Sequence, residues 1–438
     1  MKKFLILFIL TIPSVLYGQR DAAQLFEPAL LKADIDTLIS KLKTSHPTFS
    51  HYYQENKLES KIDKIKKTID TPMSAAAFYR MMQPIVCVDG HTSLICNGEV
   101  YPNYPNPLFP FKIVIYDHTI YIKENHSDNK SISKGMIVEK INGVSSKDLI
   151  DNLTRYVPGE RDVFKLKKLE KNFNYYYQIV YGAFPEFDIT VNKKEWKCKG
   201  ANWSDIDEAK KPTFELRFYD KNIAYICKRK FFPPNEFIHF MDSAFHAIAE
   251  KPIEYLIIDN LIGGGLTDLS DTLMTYFTNK PFSSFEKKES KISSLTKDYV
   301  DSKKSNGYRK DGYFVQEFPP KSRDRKHRFT GTTYILTGPL SYSAATCFSA
   351  SAKCYKTALL VGEESGQPLL SNGGMAHFIL PTTKMTCVTS LERVYFPCNN
   401  KDTINGVQPD YHVNPSLDDL LNDKNYSLEY LLKMIRKK

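Results

Sequence analysis

The sequence has 438 residues, of which 42% are hydrophobic and 25% are charged, and its net charge is +10. This length allows two or three domains with sizeable cores, and the composition excludes a disordered or fibrous chain. The basic residues are scattered along the chain without a nucleic-acid recognition motif, so we expect them to form a solvated surface, with no nucleic acid as partner.

Residues 1–18, MKKFLILFILTIPSVLYG, have the layout of a secretory signal peptide: two lysines, an apolar run, and a small residue before Gln19. The run is shorter than the about 18 apolar residues that suggest a membrane span, and no later segment is long and apolar enough. We therefore predict a protein exported to the periplasm or the extracellular space, with no membrane span after signal cleavage.

Eight cysteines make disulfides plausible in an exported chain. Cys87 and Cys96 lie close together in the sequence, as do Cys387 and Cys398, and either pair would join neighbouring strands. Buried free thiols are the alternative, and the sequence does not decide the pairing.

Residues 19–100 are predicted to form an N-terminal helical region that ends in a hairpin. LLKADIDTLISKLKTSHPTF and ESKIDKIKKTID repeat apolar residues at helical spacing, and IVCVDGHTSLICNG then predicts two strands joined by Asp89-Gly90. This hairpin carries His91, a candidate base because histidine titrates near neutral pH. A purely structural histidine is the alternative, and His377 and His412 are competing candidates.

Residues 107–200 are predicted to form a PDZ-like domain. A proline- and asparagine-rich connector precedes short alternating strands, and the phrase GMIVEKINGVSSKDLIDNL resembles the second half of a PDZ domain. In that family a glycine opens a strand, an Asn-Gly turn closes it, and a helix follows. Another small β-rich insert is the alternative.

Residues 210–438 alternate strand and helix patterns, which predicts an α/β layer structure. NIAYICKRKF, IEYLIIDNL and TTYILTGP have the apolar character of buried strands. EFIHFMDSAFHAIAEK, TDLSDTLMTYFT and SAATCFSASAKCY have helical patterns.

The stretch TGPLSYSAATCF places serines between a buried strand and the start of a helix. At that position a hydroxyl can attack a carbonyl while backbone N–H groups stabilise the developing oxyanion, and small neighbours let a substrate approach. A serine that only caps the helix is the alternative. The competing positions are Ser341, Ser343, Ser349 and Ser351.

The stretch LIIDNLIGGG ends a buried strand at Asp259 and continues into three glycines, Gly263 to Gly265. Their backbone amides are able to face a ligand. The phosphate-loop pattern is missing because no Gly-Lys-Ser/Thr follows, and the dinucleotide-binding spacing is missing as well. Oxyanion donation is the interpretation that fits best, with a plain tight turn as the alternative.

Taken in order, DGHTSL, the PDZ-like insert, IIDNLIGGG, SYSAATCF, ALLVGEESG and INGVQPD resemble the tail-specific or C-terminal processing peptidases, over nearly the whole mature chain. The resemblance implies an α/β core related to crotonase, built from ββα units. It also implies that Ser343 is the nucleophile and that Ala344, with Gly264 or Gly265, forms the oxyanion hole. No metal or cofactor is implied.

Two positions depart from that family's pattern. IIDNLIGGG lacks the family's arginine and asparagine at their usual places, and Gln367 stands where the serine–lysine branch has its catalytic lysine. Because a neutral amide cannot accept the serine proton, another base is needed. Lys353, Lys356 and Lys384 do not occupy the family's lysine position.

The DGHTSL motif resembles the histidine motif of the tricorn-core-like branch, which uses serine, histidine and glutamate. The resemblance therefore implies that His91 is the base and that a carboxylate orients its ring. Glu392, in TSLERVYFPC, is the predicted third member. Alternatives are an exposed, non-catalytic Glu392 and a different carboxylate: Asp402, Glu363 or Glu364.

These features together predict an exported serine endopeptidase that cleaves polypeptides and recognises them through their C-termini by strand addition to the PDZ-like insert. The first alternative is an inactive relative that binds peptides or apolar ligands. The two differ in whether His91 reaches Ser343. A structural protein of the cell envelope, without a cleft, is a weaker alternative.

Overall fold

The structure is a computed structural model that describes residues 24–53, 55–95, 107–206, 211–323, 325, 328–398, 402 and 404–437. The predicted signal peptide and Cys96 lie outside the described residues. Within the described ranges, no helix combines the length and the apolar character needed to cross a membrane.

The N-terminal region is helical, as its apolar spacing predicts. Its elements are β1 (Leu25–Phe26), α1 (Pro28–Ser45), α2 (Phe49–Tyr52), α3 (Glu55–Thr68), β2 (Met73–Ser74), α4 (Ala75–Val86) and β3 (Ser93–Ile95). Helix α1 begins with Pro28, whose fixed φ suits the first helical position. Ser74 caps α4 by accepting the Ala77 N–H at 3.3 Å.

The insert is built around one antiparallel sheet in the strand order β4-β5-β6-β8-β9, with β7 paired to β6. Its elements are β4 (Phe111–Tyr116), β5 (Thr119–Asn125), β6 (Ile137–Ile141), β7 (Val144–Ser145), α5 (Ser146–Thr154), α6 (Asp162–Lys171), α7 (Phe173–Tyr181), β8 (Glu186–Val191), β9 (Lys194–Lys199) and α8 (Trp203–Ile206). Asn142 and Gly143, both with positive φ, form the turn between β6 and β7. The strand, turn and helix predicted from GMIVEKINGVSSKDLIDNL are therefore present.

The remaining chain alternates strands and helices. Its first half contains β10 (Phe214–Tyr219), β11 (Ile223–Lys228), α9 (Pro234–Ala249), β12 (Tyr255–Asp259), β13 (Ile262–Gly263), α10 (Thr267–Thr275), β14 (Lys287–Lys291), α11 (Lys297–Lys303), a 3₁₀ turn (Lys304–Asn306), β15 (Tyr308–Lys310) and β16 (Tyr313–Glu317). Its second half contains β17 (Thr332–Thr337), β18 (Leu340–Ser341), α12 (Ala344–Cys354), β19 (Leu359–Gly362), β20 (Leu370–Gly373), β21 (Ala376–Ile379), β22 (Thr386–Thr389), β23 (Glu392–Tyr395), β24 (Tyr411–His412), α13 (Leu417–Leu421) and α14 (Tyr426–Ile435).

The central sheet has the strand order β10-β11-β12-β17-β19-β24. Its first pair is antiparallel and the other pairs are parallel, so the prediction of a mixed α/β structure is confirmed. Buried residues of α9, α10 and α12 share one apolar cluster with strand residues, and residues of α14 share another. Because parallel strands end at the same edge, Asp259, Thr337 and Gly362 lie together where ligands usually bind in such folds.

Two smaller sheets connect the ends of the chain. One has the order β15-β16-β14-β23-β20, and the other has the order β21-β22-β3. The predicted local hairpin around His91 is wrong: Ile85 and Val86 complete α4, and β3 pairs instead with β22, nearly three hundred residues later, with Leu94 opposite Cys387. The segment from residue 87 to 92, which we call the 87–92 turn, joins α4 to β3 and carries His91.

The N-terminal helices and the insert share one continuous apolar core. Phe378, Leu380, Met385 and Cys387, from the β21–β22 hairpin, belong to this core and not to the core of the central sheet. A late segment of the chain therefore packs with its first two hundred residues.

One disulfide is present in the described residues, between Cys354 and Cys398. The suggested pair of Cys387 with Cys398 is wrong, because Cys387 is a free thiol that β22 directs into the N-terminal core. Cys87 is also a free, buried thiol, and its suggested partner Cys96 lies outside the described residues. The observed bond attaches the end of α12 to the segment that follows β23.

Replacing both Cys354 and Cys398 by serine should lower the free energy of unfolding by about 2–4 kcal/mol, because the bond restricts the unfolded chain between two residues separated by 44 positions. Thermal unfolding with and without a reductant tests this. The reductant should destabilise the wild type to the level of the double variant and leave the variant unchanged. A wild type that ignores the reductant would contradict the assignment.

Candidate active site

Ser343 lies at a sharp turn between β18 and α12, with φ 56° and ψ −123°. A residue other than glycine rarely adopts such a conformation, which costs about 1–3 kcal/mol and concentrates at functional sites. The side chain of Ser343 makes no capping hydrogen bond to α12. The alternative of a simple N-cap therefore does not describe this serine.

His91 reaches Ser343 across 252 positions of sequence: its Nε2 atom lies 3.1 Å from Ser343 Oγ. This is a hydrogen-bond distance, and it is the geometry that a nucleophile and its base require. It is also the observation that separates the peptidase interpretation from the binding-only interpretation, because the latter requires the two groups to be apart.

The other candidate serines have structural hydrogen bonds. Ser341 donates to the Asn260 carbonyl, Ser349 accepts from the Asn260 side chain at 2.8 Å, and Ser351 donates to the Ser283 carbonyl at 3.0 Å. All three are fully buried. The competing histidines, His377 in β21 and His412 in β24, lie at exposed positions outside this arrangement.

Asp89, a residue of the 87–92 turn, has a buried carboxylate. Its Oδ2 atom binds His46 Nε2 at 2.9 Å and accepts the Ser390 hydroxyl at 2.8 Å, while Oδ1 accepts the His91 backbone N–H at 3.0 Å. Burial acts to raise the pKa of Asp89, but His46, His91 and Ser390 act in the other direction and hold it well below its usual range. Asp89 is therefore a buried negative charge next to His91.

Burial lowers the pKa of His91 below its ordinary value of 6.5, and the charge of Asp89 opposes this effect without cancelling it. The positive charge of Lys168 lowers the pKa further. The ring is therefore neutral at pH 7, which is the form that accepts a proton from a serine. Its Nδ1 atom is buried and has no hydrogen-bond partner among the described residues.

The structure does not bring Glu392 to the His91 ring. The Glu392 carboxylate accepts a hydrogen bond from Tyr299 and forms an ion pair with Lys288 at 3.0 Å, so its lone pairs are directed toward α11 and β14. No described hydrogen bond joins Glu392 to the His91 ring, and its role as the third member of the site stays a prediction. The alternative carboxylates also have other partners: Asp402 accepts the N–H groups of Ile404 and Asn405, Glu363 binds Tyr426, and Glu364 binds Arg161.

Of the predicted oxyanion donors, Ala344 and Gly264 adjoin Ser343, whereas Gly265 packs against another residue. Ala344 is the first residue of α12, so its N–H is among those that a helix leaves without an internal acceptor. Gly264 faces Ser343 closely, since a Cβ atom added to it would lie 3.6 Å from Ser343 Cβ. Gly265 instead packs against Phe231, whose carbonyl oxygen would lie 2.5 Å from an added Cβ atom.

The side chain of Gln367, at the position of the family's lysine, binds the backbone of the nucleophile Ser343. Its Oε1 atom accepts the Ser343 N–H at 2.7 Å, and its Nε2 atom donates to Ser371 Oγ at 2.8 Å and to the Asn372 carbonyl at 3.0 Å. The side chain is buried and its hydrogen bonds hold it in one orientation. Gln367 thus stabilises the unusual backbone of Ser343 and takes no part in proton transfer.

Sequence reasoning missed several residues that build this site. It treated Asp89 only as a turn residue and did not single out His46, Glu160 or Tyr342. The one available signal was the spacing of Asp89 and His91 in VDGHTSL, a carboxylate two positions before a histidine, between the apolar runs IVCV and LIC. The contacts of the other three depend on segments distant in sequence.

Comparison with known proteins places this geometry in a family. The model of peptidase family S41 matches residues 222–413, which include Ser343, the glycine cluster and Gln367. Residues 222–413 therefore form an S41 peptidase domain, which makes the chain a serine-type peptidase that acts on polypeptides. No curated protein matches the sequence.

Solved structures share the fold of this S41 peptidase over nearly its whole length. Mature CPAF complexed with lactacystin has 13% identity and a TM-score of 0.66, covering 93% of this chain and 97% of its own. Mature CPAF without lactacystin has 13% identity and a TM-score of 0.66, covering 93% of this chain and 96% of its own. A candidate peptidase from Parabacteroides merdae has 14% identity and a TM-score of 0.51, covering 93% of this chain and 96% of its own.

The rate at which a fluorophosphonate phosphonylates the enzyme should fall on the acid side of a midpoint below pH 6.5, because burial lowers the pKa of His91. Asp89→Asn should move the midpoint to still lower pH, since the negative charge that raises the pKa of His91 is removed. Labelling rates measured across pH test both statements. A wild-type midpoint above pH 6.5, or an upward shift in the variant, would contradict them.

Gln367→Ala should slow the same phosphonylation by about 10- to 100-fold, because an unpaired Ser343 N–H costs about 1–3 kcal/mol and the strained turn loses its support. Gln408→Ala, at an exposed position, serves as the matched control and should label at the wild-type rate. An equal rate for a folded Gln367→Ala variant would show that the turn does not depend on this amide.

Proposed function

We propose that this chain is an exported endopeptidase of the C-terminal processing type that uses Ser343 as nucleophile and His91 as general base. The observation that carries the proposal is the 3.1 Å distance between His91 Nε2 and Ser343 Oγ. The unusual backbone of Ser343 and the lowered pKa of His91 support it, because both are typical of catalytic groups.

The proposed reaction is acyl transfer in two halves. The neutral His91 ring takes the proton of Ser343 while Oγ attacks the carbonyl carbon of the peptide. The N–H groups of Ala344 and Gly264 stabilise the oxyanion, and the charge of Asp89 stabilises the imidazolium. His91 then protonates the leaving amine, and a water molecule activated by the same ring hydrolyses the acyl-enzyme.

In this mechanism Asp89 takes the electrostatic role that the sequence analysis gave to Glu392. Asp89 acts on the ring through space and through the His91 backbone N–H, while His46 and Ser390 fix its carboxylate. Serine, histidine and a buried aspartate thus form the proposed site.

The finer assignments of fold belong to the same proposal. We propose a crotonase-like core, supported by the parallel strands β11, β12, β17 and β19 with helices between them. We propose a PDZ-like insert, supported by the succession of β6, the Asn142-Gly143 turn, β7 and α5. Such an insert would bind the C-terminal residues of a substrate as an added strand.

The proposal of export has two supports. Residues 1–18 have the pattern of a signal peptide. The bond between Cys354 and Cys398 is typical of oxidising compartments, such as the periplasm or the extracellular space.

A fluorophosphonate probe should label the wild type covalently and should not label Ser343→Ala. The probe should label His91→Ala more slowly than the wild type by about 10³-fold or more, because the serine loses its base. Ser204→Ala, which removes an exposed hydroxyl, is the matched control and should label like the wild type. Intact mass and peptide mapping identify the labelled residue.

Two outcomes of this experiment would contradict the proposal. Labelling of Ser343→Ala at the wild-type rate would exclude Ser343 as the nucleophile. A wild type that digests unfolded protein but resists the probe would exclude the acyl-transfer mechanism. Lactacystin, which the structural neighbour CPAF binds, serves as a second probe of the same serine.

A further inference from the structure

The insert contributes a carboxyl group to the active site. Glu160, in the loop between α5 and α6, accepts the Tyr342 hydroxyl at 2.6 Å and the Gly90 backbone N–H at 3.3 Å, both through Oε2. Gly90 also donates to Tyr342 Oη at 3.1 Å. Gly90 immediately precedes His91 and Tyr342 immediately precedes Ser343, so this one oxygen joins the two segments that carry the base and the nucleophile.

The 87–92 turn and Tyr342 are in close contact at Gly90, with no room there for a side chain. A Cβ atom added to Gly90 would lie 2.3 Å from Tyr342 Oη, so only glycine allows the 87–92 turn to approach the tyrosine this closely. The Tyr342 ring packs against the His91 ring at 5.2 Å between centroids. A shift of the Tyr342 ring relative to the 87–92 turn would therefore move the imidazole of His91.

The first turn of α6, directly after this loop, contacts the other side of the tyrosine. The Phe164 ring stacks on Tyr342 with 4.3 Å between centroids and an angle of 22°. Phe164 also packs against Gly366, where an added Cβ atom would lie 2.9 Å from its ring. Gly366 precedes Gln367, which accepts the Ser343 N–H.

Arg161 completes the contact between the insert and the catalytic core. Its guanidinium donates to the Ser365 carbonyl and forms an ion pair with Glu364 at 2.7 Å. Residues 159–164 of the insert therefore contact three segments of the site: the 87–92 turn, the turn that carries Ser343, and the loop that leads to Gln367.

The environment of Glu160 favours its uncharged form. Burial raises its pKa to about 8, the charge of Asp89 adds to this effect, and the hydrogen bonds from Tyr342 and Gly90 oppose it. Its Oε1 atom is buried and has no partner among the described residues. The ionisable groups that act on it or respond to it are Asp89, Tyr342, Tyr52 and Lys168. At pH 7 the carboxyl group is therefore mainly uncharged, and its Oε2 atom serves as an acceptor.

We propose that Glu160 is a positioning residue that the insert supplies to the catalytic site. Its oxygen fixes Gly90 and Tyr342 relative to each other and thereby sets the distance between His91 Nε2 and Ser343 Oγ. This inference rests on the proposed function, because it assigns Glu160 a role in the reaction of Ser343 with His91. The insert then takes part in catalysis as well as in any binding of substrate.

The test compares Glu160→Ala, Glu160→Gln and wild type by the kinetics of phosphonylation by a fluorophosphonate, separated into probe affinity and maximal rate. Glu160→Ala should lower the maximal rate by about 10- to 100-fold, the loss typical of a small misplacement of reacting groups, with little change in affinity. Glu160→Gln keeps an uncharged oxygen acceptor and should restore the rate to within about threefold of wild type. Glu186→Ala, an exposed glutamate of the insert, is the control and should have no effect.

A folded Glu160→Ala variant with the wild-type maximal rate would overturn the inference, as would a Glu160→Gln variant as slow as Glu160→Ala. If Glu160→Ala does not fold, Tyr342→Phe supplies the test, because it removes the hydroxyl that binds Glu160 and keeps the ring. It should slow the maximal rate in the same way, and a wild-type rate would overturn the inference.

Hydrogen exchange measured by mass spectrometry separates this inference from the proposed function. Peptides that cover residues 88–92 and 340–346 should exchange faster in Glu160→Ala and at the wild-type rate in Glu160→Gln. This readout needs no catalysis, so an unlabelled wild type would contradict the proposed function alone. Unchanged exchange in both segments of Glu160→Ala would contradict the role of Glu160 alone.

Discussion

The hydrogen bond between His91 and Ser343 is the contact on which the proposed function of this protein depends. Its two atoms belong to residues separated by 252 positions. Only pairing between distant parts of the chain brings the segments that carry them together. Strand β3, just after His91, pairs with β22, which lies beyond Ser343 in the sequence. The fold therefore closes a large loop in order to place one nitrogen 3.1 Å from one oxygen.

Three buried polar groups hold this contact, and each acts through the backbone. Asp89 binds the N–H of His91, Gln367 binds the N–H of Ser343, and Glu160 binds the N–H of Gly90. Backbone N–H groups in a buried site require acceptors, and here the acceptors come from three different segments of the chain. The positions of the reacting side chains are thus fixed by backbone hydrogen bonds, which leaves the hydroxyl and the imidazole nitrogen free for chemistry.

The local parts of this structure were predictable from sequence, and the long-range parts were not. The apolar runs ending at Asp259 and Thr337 identify buried strands, and the small residues after Ser343 identify a closely packed helix. The prediction of a hairpin at 85–96 was wrong because β3 finds its partner in β22, and no local pattern records that pairing. Asp89 was taken for a turn residue for a similar reason, since its partners His46 and Ser390 come from both ends of the chain. Glu392 has the right residue type at a suitable place in the sequence, but Lys288 and Tyr299 bind it elsewhere.

The pairing of β3 with β22 has a consequence for the synthesis of the protein. A growing chain that has emerged only as far as Ser343 has not yet produced the strand against which β3 forms, nor the amide of Gln367 that supports the serine. Until those residues are made, the imidazole has no fixed position and the hydroxyl is an ordinary alcohol. We therefore expect a nascent chain to have no assembled site before β22 and Gln367 have been synthesised.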